Sequence, residues 1–352
     1  MANETTAPAK PISSNDLPWE EWSDIPRFSV RYKHLTRAAV GTDYHVGVII
    51  EELEPGRQSA PAHYHMLEEE HVYILDGTVT ARIGAERYEM KAGDYVCFPA
   101  GQKAGHCLVN TGDAPCRYVI VGEKNPNEVA VYTDTRKVSI RALGRTILDL
   151  AATRGYWDGE ETGLPPGVAP PAEPVTPETP VVPKPPISEA AVEWRDGVPG
   201  RERFGGRFKH LTRAAVGDGY HVGVVIESPA PGKRLWPTHY HMLEEEHALV
   251  LEGRVTLILG DERHEMTAGD YVCFPAGQTV GHSFVNSGPG PCRTLMIGER
   301  NPNEVCVYPD SNKMAVDALR RRDGIFDMSG GGATGTARRA DPSPPPPAQP
   351  PK

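Results

Sequence analysis

The chain has 352 residues, of which 39% are hydrophobic and 24% are charged, and this suits a globular protein with room for two domains of ordinary size. A formal charge of −10 argues against non-specific binding to nucleic acid, and no run of about 18 apolar residues is present that would span a bilayer. The first residues lack the apolar run of a signal peptide, and the six cysteines form no CxxC pair. We therefore expect a cytoplasmic protein with buried, reduced thiols.

An internal repeat organises the chain. Residues 31–140 align with 207–316 at a constant offset of 176, without a gap, and 68 of the 110 aligned positions are identical. RYKHLTRAAVG returns as RFKHLTRAAVG, and AGDYVCFPAGQ occurs twice unchanged. Repeats of this length are domains with cores of their own rather than units of a solenoid.

Composition predicts the domain order along the chain. An N-terminal arm (1–30) precedes a first domain (31–156), which closes with a helix. A proline-dense stretch (157–189) cannot join a sheet or a helix interior and is interpreted as a semi-rigid linker. A second domain (190–328) follows, and the tail (329–352) has the composition of a disordered segment.

The elements inside each domain are predicted to be strands. YHVGVII, HVYILDGTVTARIG, DYVCFPAG and RYVIVGE are short runs rich in Val, Ile and Tyr, separated by Gly, Pro and Asp, as in an all-β sandwich or barrel. The exception is 139–155, where apolar residues recur at helical spacing (Ile140, Leu143, Ile147 and Leu150). We expect a helix there, with a weaker counterpart after the second repeat.

A histidine pair opens the motif that carries chemistry. His63 and His65 flank Tyr64 on a predicted strand, where side chains two apart share a face, so both imidazoles can point into one barrel. Imidazoles that converge with a carboxylate make a good site for a divalent first-row metal (Fe, Mn, Ni, Zn or Cu). The second copy has the same residue types at the same spacing. We predict two sites, formed by His63, His65, Glu70 and His106 and by His239, His241, Glu246 and His282.

The same residues carry a family resemblance. HxHxxxxExxxxxxG, from His63 to Gly77, resembles the first cupin motif, and GxxxxxPxG followed by HxxxN, from Gly93 to Asn110, resembles the second. Both motifs occur twice. Two loops are longer than in the usual cupin pattern, and neither change removes a ligand. Glu68 and Glu69 also offer carboxylates, but the motif spacing favours Glu70.

The resemblance covers about 31–137 and 207–313 and implies a bicupin. The expected fold is all-β, with two tandem cupin double-stranded β-helix (jelly-roll-like) barrels, a Pro-rich linker, a few short helices and a metal inside each barrel. One subfamily is less favoured, because bicupin oxalate decarboxylases typically have an arginine shortly before the first ligand histidine. That position holds Ala60 in the first copy and Trp236 in the second.

A basic cluster, KHLTR, begins each repeat. It could bind a substrate carboxylate or phosphate, or it could pack against the partner barrel or an oligomer interface. The candidate substrate-binding residues are Lys33, His34 and Arg37 with their copies Lys209, His210 and Arg213. Weaker candidates are Tyr44, Glu123, Asn127 and Glu128.

The ligand set limits the chemistry. Neutral imidazoles and one carboxylate leave a divalent ion with a net charge of roughly +1 and, for an octahedral metal, about two open positions. Such a site suits a small, polar, anionic metabolite that chelates the metal, beside dioxygen if the metal is iron or copper. We therefore favour a dioxygenase. The alternatives are a sugar-phosphate isomerase or lyase and a non-catalytic small-molecule or metal-binding cupin. Homo-oligomerisation is left open.

Overall fold

The structure, a computed structural model, describes residues 10–154, 183–197, 201–319 and 325–328. The proline stretch from 155 to 182 and the tail from 329 lie outside the described residues, so their predicted character is not addressed by the structure. Among the residues that are described, no helix has the length and apolar character needed to cross a bilayer.

The first half of the chain is built almost entirely of strands. One short helix, α1 (Leu35–Val40), and two 3-10 turns (Arg141–Leu143 and Leu150–Ala152) interrupt them. The strands are β1 (Ile12–Ser13), β2 (Glu20–Ile25), β3 (Phe28–His34), β4 (Val46–Leu53), β5 (His63–His65), β6 (Glu70–Asp76), β7 (Thr78–Ile83), β8 (Glu86–Lys91), β9 (Asp94–Phe98), β10 (His106–Val109), β11 (Cys116–Glu123), β12 (Val129–Tyr132), β13 (Lys137–Ile140) and β14 (Thr146–Asp149).

The second half repeats this pattern around helix α2 (Leu211–Val216), with 3-10 turns at Glu189–Ala191, Pro309–Ser311 and Asp317–Leu319. Its strands are β15 (Ile187–Ser188), β16 (Arg195–Asp196), β17 (Gly206–His210), β18 (Val222–Pro229), β19 (Tyr240–His241), β20 (Glu246–Glu252), β21 (Arg254–Leu259), β22 (Glu262–Thr267), β23 (Asp270–Phe274), β24 (His282–Val285), β25 (Arg293–Glu299), β26 (Val305–Tyr308), β27 (Lys313–Val316) and β28 (Ile325–Asp327).

Antiparallel sheets form two barrels. In the first barrel the strand orders are β15-β9-β6-β11-β4-β3-β2 and β14-β13-β12-β5-β10-β7-β8. In the second they are β1-β23-β20-β25-β18-β17-β16, opposed by β19-β26-β27-β28 and β22-β21-β24. An isolated bridge between His239 and His282 connects the two smaller sheets. The all-β prediction with two tandem barrels is confirmed.

Strand alternation creates three cores. On β6, Val72 and Ile74 face the lumen of the first barrel, whereas His71 and Tyr73 face outward, because successive side chains point to opposite sides of a sheet. A matching lumen core fills the second barrel. The outward faces of the two large sheets pack on each other in a third cluster, which contains buried residues of both barrels. We call this contact between the barrels the seam.

Each barrel receives an edge strand from the segment that precedes the other barrel. β1, in the N-terminal arm, pairs with β23 of the second barrel, and β15 pairs with β9 of the first. Residues 187–189, the end of the predicted linker, therefore lie on the first barrel. These short strands cover sheet edges that would otherwise expose unpaired backbone groups at the seam.

The helix predicted over 139–155 is wrong. β13 and β14 form a hairpin that extends the sheet outward from β12, with Val138 opposite Leu148. Gly144, at φ 69°, and Arg145, at φ 60°, make the turn in the left-handed region that a continuous helix excludes. The β-branched residues of β13 and β14 favour strands, and the pairing of β13 with β12 outweighs the helical spacing of the apolar residues.

Candidate metal centres

The candidate ligand residues of the first barrel converge from three strands. β5 places His63 opposite His106 of β10, and Glu70 begins β6 in the facing sheet. The Glu70 carboxylate lies 3.4 Å from His65 Nε2 and 3.5 Å from His106 Nε2. His63, Glu70 and His106 each offer a donor atom within 4.8 Å of the other two. The structure thus brings all four predicted residues together.

The second barrel repeats this arrangement with a tighter carboxylate contact. Glu246 Oε2 lies 3.6 Å from His239 Nε2 and 3.8 Å from His241 Nε2, and it is hydrogen-bonded to His282 Nε2 at 2.7 Å. Each barrel therefore contains a candidate metal-binding site built from its own residues.

Surrounding groups orient the imidazoles. The Nδ1 atom of His63 lies 2.9 Å from the Pro61 carbonyl oxygen, which can only accept, so Nδ1 carries the proton and Nε2 is free to ligate. His65 Nδ1 lies 3.3 Å from a Glu128 oxygen. His106 stacks on Phe98 with ring centroids 3.7 Å apart. The equivalent supports in the second barrel are Pro237, Glu304 and Phe274.

The electrostatics fit a cation. Burial lowers the pKa of His63 to about 4, so the ring is neutral. Burial raises the pKa of Glu70, but the interactions with His106 and His65 outweigh it and hold that pKa well below its usual range. Neither ring nitrogen of His106 has a hydrogen-bond partner among the described residues, although both are buried. A divalent ion would supply the missing partner for Nε2.

Glu128 is part of the site although it was only a weak candidate from sequence. Its carboxylate accepts hydrogen bonds from the backbone N–H groups of Met66, Leu67 and Glu68, at 2.9 to 3.0 Å, and its Oε1 atom, which accepts from Met66, also lies 3.3 Å from His65 Nδ1. It therefore fixes both the loop after β5 and the ring of a ligand. Its place in NPNEV, which occurs unchanged in both repeats, was the available signal.

A further lumen carboxylate was missed. Glu51 of β4 lies on the same face as Leu53, and the Tyr118 hydroxyl donates to it at 2.7 Å. Burial raises the pKa of Glu51 to about 7, against the effect of the Tyr118 hydrogen bond and with a contribution from the Glu70 charge. Its copy Glu227 accepts from the indole N–H of Trp236, and burial raises its pKa to about 8. The signal in the sequence is a glutamate kept at the head of the stretch EELEPGRQSA, in which seven of the ten positions differ between the repeats.

The KHLTR residues make other contacts. Lys33 is buried on the seam side, where its ammonium donates to the Ser14 carbonyl oxygen at 2.7 Å and lies 4.7 Å from the centre of the Trp19 ring. His34 accepts from the Arg37 backbone N–H and so caps α1, and Arg37 pairs with Glu20 at the surface. The second repeat makes the corresponding contacts: Lys209 donates to the Glu189 carbonyl oxygen, His210 caps α2 and Arg213 pairs with Asp218. Substrate binding by these six residues stays a prediction.

Weaker candidates also have defined places. Tyr44 hydrogen-bonds to His34 Nε2 at 2.9 Å, and Glu123 accepts from the Glu69 backbone N–H and contacts His221 of the second barrel at 3.1 Å. Asn127 donates its backbone N–H to the Asn125 side chain. These contacts shape the loops and the seam.

Two β-barrels, each with three histidines and a glutamate converging in its lumen, define a tandem-barrel metal-binding protein. A family model described as a cupin domain matches residues 49–122 and 225–298. The chain thus contains two cupin domains in tandem, in agreement with the bicupin that its motifs predict.

Three known proteins show the range of similarity to this chain. The Tetracenomycin polyketide synthase protein TcmJ of Streptomyces glaucescens is 29% identical over 106 residues, which are 30% of this chain and 68% of that protein. A Pseudomonas aeruginosa protein described as glyoxylate-induced is 18% identical, with a TM-score of 0.55 over 84% of this chain and 90% of that chain. An oxalate decarboxylase of Bacillus subtilis with Mn(II) centres is 16% identical, with a TM-score of 0.52 over 85% of this chain and 80% of that chain. At 18% and 16% identity, the similarity to these two solved structures shows a shared fold and no more.

Proposed function

We propose that each barrel is the active site of a metal-dependent enzyme that transfers a proton to or from a small, anionic, metal-chelating metabolite. The observation that carries the proposal is a carboxylate in each lumen, Glu51 in the first barrel and Glu227 in the second. Each shares its lumen with the candidate metal ligands of that barrel. A titratable group in the same lumen, close enough for its pKa to respond to the charge of Glu70 or Glu246, gives the site a proton donor and acceptor, which a simple metal-binding module does not need.

The residues of the site divide the work. His63, His65, Glu70 and His106 would hold the ion, which when bound supplies a Lewis acid that polarises a substrate oxygen. Glu51 lies on a separate strand of the same lumen and accepts a hydrogen bond from the Tyr118 hydroxyl, and burial raises its pKa to about 7, so that it can take up or release a proton near neutral pH. It can therefore exchange a proton with a substrate carbon or oxygen without leaving the metal short of a ligand. The apolar lumen around Val72, Ile74 and Phe98 excludes water from that exchange.

This proton-transfer chemistry supports an isomerase or lyase ahead of the dioxygenase favoured from the ligand set. The dioxygenase remains a prediction with a clear test: turnover that requires dioxygen while the metal stays bound. Undiminished turnover without oxygen supports the isomerase or lyase. Tight, reversible binding of a chelating anion without turnover supports the non-catalytic alternative.

The direct test measures exchange of substrate hydrogen with solvent. The metal-loaded protein is incubated in D₂O with a panel of hydroxy acids, keto acids and sugar phosphates, and deuterium incorporation is followed by NMR. We expect incorporation into at least one anion, and a loss of about 100-fold or more in the double variant Glu51→Gln and Glu227→Gln, with the metal content unchanged.

Glu52→Gln is the matched control, because Glu52 neighbours Glu51 on β4 but pairs with Arg31. It should exchange deuterium like the unmodified protein. Equal activity of the Glu51/Glu227 variant and this control would refute the assigned role of the lumen carboxylates.

A further inference from the structure

Each barrel carries a second cluster of potential metal ligands, on the seam side of its large sheet. In the first barrel it consists of Glu69, His71 and Cys97. His71 of β6 and Cys97 of β9 are direct cross-strand partners, so their side chains lie next to each other on one face. Donor atoms of the three residues all lie within 4.8 Å of one another, and each residue is only 1% exposed. The lumen ligand Glu70 points to the opposite face of the same strand.

The hydrogen-bonding state of His71 points to a missing partner. Its Nδ1 atom is hydrogen-bonded to the Tyr95 hydroxyl at 2.7 Å, whereas Nε2 is buried without a hydrogen-bond partner among the described residues. The nearest carboxylate oxygen, Glu69 Oε2, is 3.7 Å from Nε2, which is beyond hydrogen-bonding distance. If Nδ1 carries the proton, the Nε2 lone pair faces a carboxylate; if Nε2 carries it, a buried N–H is unsatisfied. In the first case, a cation bound between His71 Nε2 and Glu69 Oε2 would give both atoms a partner.

Glu69 is held in place from the other barrel. Its Oε2 atom accepts hydrogen bonds from the backbone N–H groups of His221 at 2.8 Å and Val222 at 3.0 Å, at the start of β18. The cluster therefore joins two strands of the first barrel to the backbone of the second.

The same cluster recurs across the seam. In the second barrel the arrangement is repeated by Glu245, His247 and Cys273. His247 Nε2 lies 3.7 Å from Glu245 Oε2 and has no hydrogen-bond partner among the described atoms, while its Nδ1 is hydrogen-bonded to the Tyr271 hydroxyl. The Glu245 carboxylate accepts from the Val46 backbone N–H. The geometry is thus reproduced in two separate environments.

We infer that each seam cluster binds one zinc ion, in addition to the metal in each lumen. A thiolate and a carboxylate balance the charge of a divalent ion, which a dry interior requires, and the imidazole completes a mixed S, N, O set that zinc accepts. Binding releases the Cys97 thiol proton to solvent. Hard ions such as Mn²⁺ disfavour the thiolate, so the seam and the lumen differ in metal preference. The ion would fasten the two barrels together.

Cobalt substitution tests this inference, because a thiolate bound to Co²⁺ gives an intense near-ultraviolet charge-transfer band that nitrogen and oxygen ligands do not. Titration of the full-length protein with Co²⁺ should produce the band at an amplitude of two thiolate-bound ions per chain. Cys97→Ser should halve it, and Cys97→Ser with Cys273→Ser should abolish it. The lumen ligands contain no sulfur, so failure of the proposed enzyme activity leaves this result unaffected.

Cys107→Ser is the matched control, because the corresponding position of the second repeat is Ser283 and a serine therefore fits that strand. It should keep the full band. Absence of the band from unmodified protein that has bound Co²⁺, or its persistence in the double variant, would overturn the inference.

A second measurement needs no substitution. X-ray absorption at the zinc edge of unmodified protein loaded with excess zinc should show a sulfur neighbour at about 2.3 Å. A shell made only of nitrogen and oxygen would show that the seam clusters are hydrogen-bonded core groups.

Discussion

At the scale of single residues, Glu51 and Glu227 occupy equivalent positions in the two barrels but accept hydrogen bonds from different donors. Tyr118 donates to the first and Trp236 to the second, while the position equivalent to Tyr118 is Thr294 and the position equivalent to Trp236 is Ala60. The carboxylate has been kept while its neighbours changed together. A buried carboxylate needs a hydrogen-bond donor whatever its role. What the two copies share is the carboxylate itself, which is the group that the proposed proton transfer requires.

Neighbouring glutamates with different roles give the first prediction at this scale. Glu70→Gln should reduce binding of Mn²⁺ in the first barrel by about 10-fold or more, because the site loses its only anionic ligand. Glu69→Gln should leave Mn²⁺ binding close to normal, since Glu69 faces the seam. Electron paramagnetic resonance of bound Mn²⁺ measures both, in protein whose second lumen site is removed by His239→Ala. Equal losses would mean that the carboxylate ligand has been assigned incorrectly.

At the scale of elements, the exchanged edge strands are held by buried lysines. Lys33 binds the arm just after β1 through the Ser14 carbonyl oxygen, and Lys209 binds the segment after β15 through the Glu189 carbonyl oxygen. Trp19 and Trp194 cover the two ammonium groups. The retained KHLTR motif therefore has structural contacts in both repeats: it docks these strands and caps α1 and α2.

A substitution separates this structural role from substrate binding. Lys33→Met should lower the free energy of unfolding by about 1–3 kcal/mol, because the buried Ser14 carbonyl loses its donor. Arg37→Ala should change it by less than about 1 kcal/mol, because its pair with Glu20 is exposed. Urea denaturation gives both values, and neither variant should alter KM. A raised KM for Arg37→Ala, with normal metal content, would instead assign the cluster to substrate binding.

At the scale of the whole molecule, the two barrels share a core. The seam buries residues of both large sheets, among them Val48, Val121, Val224 and Ile297, and each barrel supplies a strand to the other. Hydrogen bonds also cross it, from Thr36 to Tyr271 and from Thr212 to Tyr95. The barrels are separate in their lumens but depend on each other for one face.

Cutting the linker should therefore not release two halves. A specific protease site inserted near residue 168 should allow complete cleavage while both fragments remain together on gel filtration, because the seam and the exchanged strands do not depend on that stretch of chain. Separation should require denaturant. Independent elution of the fragments in native buffer would show that the covalent linker, rather than the seam, holds the barrels together.

The sequence by itself determined the repeat, the all-β class and which histidines and glutamate meet in each lumen. Their spacing along β5, β6 and β10 is a local pattern, and strand periodicity places such residues on one face. An HxH pair and a later glutamate could therefore be assigned to one site from the sequence alone. The hairpin at 137–149 could not, because its helical spacing of apolar residues was outweighed by pairing with β12. Only the tertiary structure showed that Glu51 enters the lumen and that Glu69, His71 and Cys97 meet at the seam. Those groupings depend on which faces of separate strands are packed together, and a linear pattern of residues does not contain that information.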